Sequence, residues 1–494
     1  MEGLAVKVIK RDGRAVEFNR DKIAIAIEKA NTEVKGKEKA TKQEIEDIIE
    51  YIEDIDKKRI LVEDIQDIIE QKLMEIKKYD LAKKYIVYRY TRALVRKRNT
   101  TDESILGIIK NTNRQVIDDT SNSNANMAST QRDLIAGEVS KDLTKRILLP
   151  EKISKAHNEK VIEFHDSEYF IQPIINSCLV NIEDMLDNGT VINKKTIDTP
   201  KSFQVACIVT TQIILAVASG QYGTEYIDIK CLGKYLRYSY NKNLKHLKEL
   251  YNDKISKEMI EEIANDNIKR ELESGIQTIV YQINTAITTN GNPPSVVMLL
   301  DSEEDDKYSK ENNMILEELT HQINYGIKNE NGKYKALTLP KLITSSKEIQ
   351  KIKEYKFDQG VVSINLSQIG TIANKDVKVF WKLLDERAEL CREALMYRHY
   401  ALLGTMADMS PIHWKYGAIA RFKQGETIDK LLKDKNSTLT LGYMGIEKAI
   451  QKMDKESNTN KDELALEKNI IKFLKDKVNK WTKETGIQFV IKET

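Results

Sequence analysis

The chain opens with alternating apolar and polar positions that a turn sequence interrupts. Val6 and Val8 alternate with polar neighbours, the dipeptide Asp12-Gly13 follows, and a second apolar run resumes at Val16. Asp-Gly between two short apolar runs is a strong local signal for a tight hairpin. The first residues are therefore predicted to form a small β-hairpin.

Apolar residues then recur every three or four positions, which is the spacing of helices that bury one face. Asn19 is placed to cap the first helix, and Thr41 with Glu44 forms a capping box ahead of the second. The apolar repeats are Ile23, Ile27 and Ala30; Ile45, Ile48, Ile49, Ile52 and Ile55; Ile65, Ile68, Ile69 and Leu73; and residues 81–95. The pattern predicts a small, mainly helical domain over residues 1–98.

Residues 99–494 show no second break, and their pattern mixes helical periods with short apolar runs. Residues 294–300 and 360–366 have the length and composition of buried strands. The longest apolar stretch, 205–219, is too short to span a bilayer and contains threonines and a glutamine. It is predicted to be a buried helix within one mixed α/β domain.

The net charge is only +3, from 79 basic and 76 acidic residues. This balance does not indicate an extended basic surface of the kind that binds nucleic acid or a membrane. No signal-peptide pattern opens the chain. The cysteines are Cys178, Cys207, Cys231 and Cys391, and no two of them form a CxxC pair. We therefore expect no metal site and no disulfide framework, and we expect a reducing cytoplasm.

Basic residues near the predicted hairpin turn could bind a triphosphate. Lys10 and Arg11 lie beside Gly13, where backbone amides are accessible, and Lys22 falls near the start of the next helix. The plain alternative is a basic hairpin without a ligand. The whole pattern through Ile27 resembles the ATP-cone, a regulatory module at the front of many ribonucleotide reductases.

This resemblance implies that ATP keeps the enzyme active and that dATP switches it off, usually through a change in oligomer packing. Arg89, on the last helix of the domain, is the candidate to close the nucleotide site. The residues predicted to bind ATP or dATP are Lys10, Arg11, Gly13, Asn19, Lys22 and Arg89.

Short polar side chains cluster just before the sequence Gln131-Arg132-Asp133. Such groups at the start of a helix suit the recognition of sugar hydroxyls or phosphate, and the alternative is an ordinary capped helix. A second block begins at His165, to which we assign a role in shaping the pocket. The predicted substrate-binding residues are Asn122, Asn124, Ser129, Thr130, Arg132 and His165.

Three sequence blocks resemble the front half of the barrel of anaerobic (class III, glycyl-radical) ribonucleoside-triphosphate reductases. They are NSNANMASTQRDLIAGE from Asn122, HDSEYF from His165 and INSCLVNIEDMLDNGT from Ile175. The resemblance implies an α/β fold, an incomplete ten-stranded barrel of the glycyl-radical-enzyme type over 99–494, preceded by the small helical ATP-cone.

The resemblance also implies an activity, the reduction of ribonucleoside triphosphates to deoxyribonucleoside triphosphates for DNA synthesis. Formate is the family reductant, and ATP and dATP are the allosteric effectors. The expected partners are a ribonucleoside triphosphate, a second copy in a homodimer, and a radical-SAM activating enzyme or an intact reductase chain. No metal is expected in this chain, and no nucleic acid or membrane partner is expected.

The family places a cysteine directly after the asparagine of the third block, beside the substrate sugar. Here Asn176 is followed by Ser177 and only then by Cys178. Neighbouring side chains of a strand point to opposite faces, so Cys178 faces away from the pocket if Ser177 takes the family position. A one-residue bulge would restore Cys178 as the catalytic cysteine. The sequence leaves both alternatives open.

The family segment that carries the thiyl-radical cysteine has no counterpart in this sequence. The family continues after the strand at 340–343 with a Met-Gly-Cys-Arg loop, whereas here residues 344–346 lead quickly to the next strand at 359–366. No cysteine lies between Cys231 and Cys391. The glycyl-radical loop and its four-cysteine zinc site are not found before Thr494 either. We therefore expect a truncated chain that does not turn over alone.

Three hypotheses follow from this pattern. The chain is a reductase encoded in pieces, with another polypeptide supplying the missing loops. Alternatively, it is a catalytically silent paralogue that senses ATP or dATP and associates with an intact reductase. The third hypothesis is a remnant without a role.

Overall fold

The computed structural model divides the chain into two compact units, Met1–Leu106 and Gly107–Thr494. Within the described residues, no helix is long and apolar enough to cross a membrane. The structure describes residues 7–9, 15–55, 59–109, 128–251, 254–288, 293–301, 307–329, 331–453 and 460–494.

The described part of the first unit is a three-stranded sheet with helices. Its strands are β1 (Lys7–Ile9), β2 (Ala15–Glu17) and β3 (Arg59–Leu61), and its helices are α1 (Arg20–Asn31), α2 (Lys42–Glu53), α3 (Val62–Glu75) and α4 (Tyr79–Ile109). β1 and β2 pair antiparallel, which confirms the predicted hairpin, although its turn lies outside the described residues. β3 pairs in parallel with β1 and was not predicted.

Both predicted caps start their helices in this unit. The Asn19 side chain accepts a hydrogen bond of 3.0 Å from the backbone N–H of Lys22, and Thr41 with Glu44 forms the capping box of α2. Capping provides partners for N–H groups that the first turn of a helix leaves unpaired. The isoleucine stripe of α2 then packs into the core, where Ile52 is fully buried.

The second unit is a mixed sheet with helices. Its strands are β4 (Ile162–Phe164), β5 (Ser177–Val180), β6 (Thr190–Ile192), β7 (Lys195–Ile197), β8 (Glu225–Asp228), β9 (Val296–Leu299), β10 (Ile327–Lys328), β11 (Tyr334–Lys335), β12 (Lys341–Ile343), β13 (Phe357–Asn365), β14 (Asp434–Met444) and β15 (Ile487–Glu493). Its helices are α5 (Ala128–Leu143), α6 (Glu151–Asn158), α7 (Ile182–Asp187), α8 (Phe203–Ala218), α9 (Leu232–Tyr251), α10 (Lys257–Thr285), α11 (Ser309–Tyr325), α12 (Ser346–Ile352), α13 (Leu366–Ala373), α14 (Val377–Leu402), α15 (Pro411–Trp414), α16 (Ile446–Met453) and α17 (Asn460–Thr485).

The main sheet consists of two parallel halves that meet in an antiparallel pair. Its order is β12-β9-β8-β5-β13-β14-β15, and β4 also pairs with β13. The strands β12, β9, β8 and β5 are mutually parallel, as are β13, β14 and β15. β5 and β13 join the halves, with Ser177 opposite Asp358. The predicted α/β class is confirmed; the described residues supply eight strands of this sheet, and the count of ten stays a prediction.

One face of each half is covered by helices, and each half has its own core. Phe203 of α8 and Ile276 of α10 are fully buried against the first half, which confirms the predicted buried helix. Trp481 of α17 and Phe489 of β15 are fully buried against the second half. Gly486, with a φ of +71°, ends α17.

The opposite face of the sheet, called the inner face below, is apolar in the first half. Val297 and Leu299 of β9 cluster there with Ile349 of α12, and Ile352 packs at the edge of the same cluster. α12 lies in the short interval between β12 and β13, where the family loop with the thiyl cysteine was expected to be missing. In this half, two isoleucines of the short helix α12 therefore pack on the inner face.

We predict that Ile349→Ala destabilises the second unit by about 2–4 kcal/mol, because the side chain is only 3% exposed and leaves a cavity. Urea denaturation measures the change. Ile372→Ala is the control, since Ile372 is 53% exposed and its loss should cost less than about 0.5 kcal/mol. Equal effects of the two substitutions would show that α12 does not cover the inner face.

Candidate functional site

The sheet has a cavity of about 520 Å³ at the end where β5, β8 and β9 begin. Its wall comes from α5, from the turn that carries Tyr169, from the turn that carries Tyr222, and from Ser295 just before β9. The rings of Tyr169 and Tyr222 stack with their centroids 5.0 Å apart and 5° between their planes. This cavity is the candidate substrate pocket.

The structure places the predicted polar block only partly at this cavity. Asp133 lines it, whereas the neighbouring Arg132 is exposed and is not part of the lining. Thr130 is buried, and its hydroxyl has no hydrogen-bond partner among the described residues. Asn122 and Asn124 lie outside the described residues, as does the side chain of Ser129. Their roles in substrate binding stay predictions.

His165 lies behind the cavity wall, on the inner side of β13. Its Nε2 is 2.7 Å from the Ser363 hydroxyl, which in turn is 2.9 Å from the hydroxyl of Thr494. Burial lowers the pKa of His165, so the imidazole is held neutral. His165 itself does not line the cavity, and its role in shaping the pocket stays a prediction.

The cavity wall is mainly acidic. Carboxyl groups of Asp133, Glu138, Asp166 and Glu168 line it, and Lys141 contributes an ammonium group. Burial raises the pKa of Asp133, and it raises the pKa of Asp166 to about 6. Carboxylates accept hydrogen bonds from hydroxyl and amino groups but repel phosphates. The wall therefore suits the sugar or base of a ligand better than its phosphates.

Two residues that the sequence did not single out complete the inner side of the site. Asp358 of β13 accepts hydrogen bonds from the Thr440 hydroxyl at 2.7 Å and the Gly360 N–H at 3.0 Å, and burial raises its pKa to about 6. Arg398 of α14 donates to the Tyr222 hydroxyl at 3.1 Å. Neither residue carries a local sequence signal, because each reaches the site from a distant part of the chain.

Cys178 faces the helices and not the inner face. It is 1% exposed and belongs to the same core as Phe203, while Leu179 beside it packs on the inner-face cluster. Burial raises the pKa of the Cys178 thiol well above its ordinary value. β5 pairs with β8 in unbroken register, so the bulge that would turn Cys178 to the pocket is not present. Ser177 is the residue opposite Asp358.

The other cysteines do not reach the candidate pocket. Cys207 and Cys391 are buried, and Cys231 lines a different cavity of about 550 Å³ at the end where β5 and β8 finish. The two cavities therefore lie at opposite ends of these strands. Among the described lining residues of the 520 Å³ cavity there is no cysteine, and no group of three metal-ligating side chains is found in the described residues.

In the first unit, Lys22 is exposed on α1 and Arg89 is already paired. The Arg89 guanidinium contacts three carboxylates of α3, those of Glu63 at 2.9 Å, Asp67 at 2.6 Å and Glu70 at 2.8 Å. Burial by itself would lower the pKa of Arg89, but the hydrogen bonds to these carboxylates outweigh it and raise the pKa above its ordinary value. Nucleotide binding by Arg89 would have to displace one of them. Lys10, Arg11 and Gly13 lie outside the described residues.

Comparison with known proteins decides the family. The family model described as anaerobic ribonucleoside-triphosphate reductase matches residues 119–359 and 349–494, and the ATP cone domain matches 6–94. The chain belongs to the anaerobic ribonucleoside-triphosphate reductase family. These proteins are oxidoreductases of deoxyribonucleotide synthesis, so the family, the class of activity and the ATP-cone are as the sequence predicted.

Individual relatives agree with this family. The anaerobic ribonucleoside-triphosphate reductase of Haemophilus influenzae is 30% identical over 99% of this chain and 76% of its own length. The Escherichia coli enzyme is 28% identical with the same coverage. The anaerobic ribonucleotide reductase from Thermotoga maritima with dATP bound in the specificity site has the same fold, with a TM-score of 0.55 and 12% identity over 79% of this chain and 72% of that one.

The reductase family model is interrupted near the place where the sequence lacks the cysteine loop. Its two matched segments overlap at residues 349–359, which run from within α12 into β13. The alignment with the Haemophilus reductase extends over 546 positions, which is 52 more than the 494 residues of this chain. Both observations agree with an internal segment of the relatives that has no counterpart here. Nothing in the comparisons favours the silent-sensor alternative.

A buried acid accompanies Cys178 in this member of the family. Glu225 is paired with Cys178 across β5 and β8, is fully buried, and neither carboxyl oxygen has a hydrogen-bond partner among the described residues. Burial raises the pKa of Glu225 well above its ordinary value of 4.5. The folded protein therefore holds a neutral carboxylic acid beside a neutral thiol.

We predict that this acid makes stability fall as the pH rises. Since the pKa is higher in the folded than in the unfolded state, the contribution is complete below about pH 4.5 and is lost above it, by at most about 1.4 kcal/mol per pH unit. Glu225→Gln should remove this decline between pH 5 and pH 8 in urea denaturation. The exposed control Glu262→Gln should keep it. Parallel curves for wild type and Glu225→Gln would contradict the prediction.

Proposed function

We propose that the second unit binds a ribonucleoside triphosphate in the 520 Å³ cavity, with the sugar or base toward the carboxyl groups of Asp133 and Asp166. The stacked pair Tyr169 and Tyr222 supplies an aromatic wall for the base. The observation that supports this proposal is the position of the cavity, which is built from the α5 block and the His165 block that the family resemblance assigns to the substrate. Thr130 and Arg132 belong to the first block, and we propose that the exposed Arg132 binds the phosphates outside the cavity.

Reduction of the substrate requires a thiol that this chain does not present to the cavity. The reaction begins with removal of a hydrogen atom from the 3′ carbon of the ribose, which a thiyl radical performs and a carboxylate or imidazole does not. Cys178 faces the helices, and Cys231 lies at the opposite end of the strands. We propose that the radical-bearing cysteine is supplied by a separate polypeptide or by an intact reductase chain. Formate and a radical-SAM activating enzyme complete the proposed reaction.

The test combines binding with turnover. The purified chain should bind CTP in a calorimetric titration, yet it should form no dCTP with formate and an activating enzyme under anoxic conditions, because no cysteine lines the cavity. Ser177→Cys should not restore turnover, since it replaces only the position beside the sugar. An intact family reductase, assayed in parallel, controls for the activating system. Absence of CTP binding would contradict the proposal that the cavity is the substrate site. Formation of dCTP would show that one of the four cysteines carries the radical.

We propose a homodimer for the second unit, formed through the packed helices α8 and α10. Val205 and Ile208 of α8 and Tyr281 of α10 are between 38% and 44% exposed, although their neighbours on both helices are buried. Gln204 of α8 donates to the Thr278 hydroxyl of α10 at 3.1 Å, which ties the two helices together beside this surface. An exposed apolar surface on two rigid helices supports contact with a second copy.

We also propose that the chain works in a reducing cytoplasm, because its cysteines are free thiols.

We further propose that ATP and dATP bind the first unit as allosteric effectors. Lys10, Arg11 and Lys22 are the proposed phosphate-binding cations, and Gly13 allows the turn to approach the phosphates. Asn19 holds the start of α1 in place through its cap. The support for this proposal is the match of residues 6–94 to the ATP cone domain.

The effector site is tested by Lys10→Ala combined with Arg11→Ala. The double variant should lose at least about a hundredfold in ATP affinity, because two charge-assisted contacts of about 1.5–3 kcal/mol each are removed. Calorimetric titration of ATP and dATP measures the loss. Lys83→Ala with Lys84→Ala removes the same charge from the exposed side of α4 and should leave the affinity unchanged. Equal affinities of wild type and the first double variant would move the site away from the hairpin.

A further inference from the structure

We infer that Arg398 is a positioning residue that fixes two walls of the substrate cavity, those that carry Asp166 and Tyr222. This inference rests on the proposed function of the cavity. Arg398 does not line the cavity itself and is 3% exposed, so it acts through the residues that it holds.

The side chain of Arg398 reaches these residues through a gap in the sheet. β13 is interrupted by an irregularity between Asp358 and Val361, and Gly360 lies within it with a φ of +152°. A Cβ atom at position 360 would stand 2.4 Å from Cδ of Arg398. The absence of a side chain at Gly360 is therefore what lets the guanidinium pass from α14 toward the cavity.

The guanidinium then binds two separate segments of the chain. One terminal nitrogen donates to the Tyr222 hydroxyl at 3.1 Å, and the other donates to the backbone carbonyl of His165. The planar group lies over the ring of Phe164, with 4.0 Å between its carbon and the ring centroid. A planar guanidinium with several donors in a fixed geometry can bridge two acceptors in this way.

The contact with the His165 carbonyl determines the orientation of Asp166. That carbonyl belongs to the peptide bond between the two residues, and Asp166 has the left-handed φ of 50°, which is uncommon for a residue other than glycine. Holding the carbonyl holds this conformation and keeps the Asp166 carboxyl at the cavity. The positive charge of Arg398 also opposes the rise in the pKa of Asp166 and of Asp358, so both carboxyl groups keep more of their charge.

The hydrogen bond from Arg398 to the Tyr222 hydroxyl positions the aromatic wall of the cavity. Tyr222 is stacked on Tyr169, and both rings line the cavity. Without Arg398, the Tyr222 hydroxyl would lose its hydrogen bond to the guanidinium, and of these two side-chain partners only Asn176 would remain to hold the stacked pair. Arg398 thus couples the aromatic wall to the carboxyl group of Asp166.

The test is a double-mutant cycle on the full chain, with CTP as the ligand. Arg398→Met should weaken CTP binding about tenfold or more, and Tyr222→Phe should weaken it several-fold. The double variant should lose clearly less affinity than the sum of the two single losses, because the Tyr222 hydroxyl no longer has the guanidinium as a partner. Arg398→Lys should recover part of the affinity. A role in stability alone would give additive losses that vanish when affinities are corrected for the folded fraction.

Two matched controls separate positioning from folding. Arg387→Met removes a buried arginine of the same helix that donates to the Asn365 carbonyl at 3.4 Å and does not line the cavity, and it should leave CTP binding unchanged. Gly360→Ala should weaken CTP binding by pushing Arg398 aside. Gly404→Ala also adds a side chain at a positive φ but meets open space, so it should not.

The outcomes distinguish this inference from the proposed function. If wild type does not bind CTP, the cavity assignment fails and the inference falls with it. If wild type binds and folded Arg398→Met binds equally well, the inference alone is overturned. Should Arg398→Met not fold, Tyr222→Phe and Gly360→Ala decide, and wild-type affinity in both would overturn it.

Discussion

The antiparallel pair between β5 and β13 is the constraint on which the rest of the second unit depends. In the described residues the two parallel halves of the main sheet meet at this pair and at no other. The register of this pair therefore determines which side chains of the two halves lie on the same face of the sheet. Ser177 lies opposite Asp358 and Cys178 opposite Phe357. A slip by one residue would exchange the two faces of β5 and bring Cys178 to the inner side. The register therefore determines that a serine and not a thiol is available beside Asp358.

Elements with strong local signals could be predicted from the sequence. The isoleucine stripe of α2 with its capping box, the apolar helix α8 and the glycine that ends α17 each follow from residues close together in the chain. β3 was missed because Arg59–Leu61 is three residues long and is stabilised by parallel pairing with β1. Such pairing leaves no periodic signal in the short strand itself. The family motifs gave the overall architecture, but not the number of strands.

The candidate site was predictable only where one segment supplies the chemistry. The α5 and His165 blocks do meet at the cavity, yet Asp133 and not Arg132 lines it, because adjacent residues on a helix point about 100° apart. Arg398 and Asp358 were missed since they come from segments that are far from both blocks in the sequence. Arg89 was predicted as a nucleotide ligand from its charge alone; its three carboxylate partners on α3 become apparent only when the helices are packed.

The two halves of the inner face differ in what they can host. In the second half the inner side carries polar residues: the Thr440 hydroxyl donates to Asp358, and the Ser363 hydroxyl is hydrogen-bonded to His165. In the first half α12 covers the face with Ile349 and Ile352, so that volume is packed core and not a reaction chamber. A partner segment that brought a cysteine there would have to displace α12. Full burial of two isoleucines would be worth at most about 3–6 kcal/mol, and Ile352 is only partly buried, so apolar side chains of a partner segment could replace the contribution of these two residues.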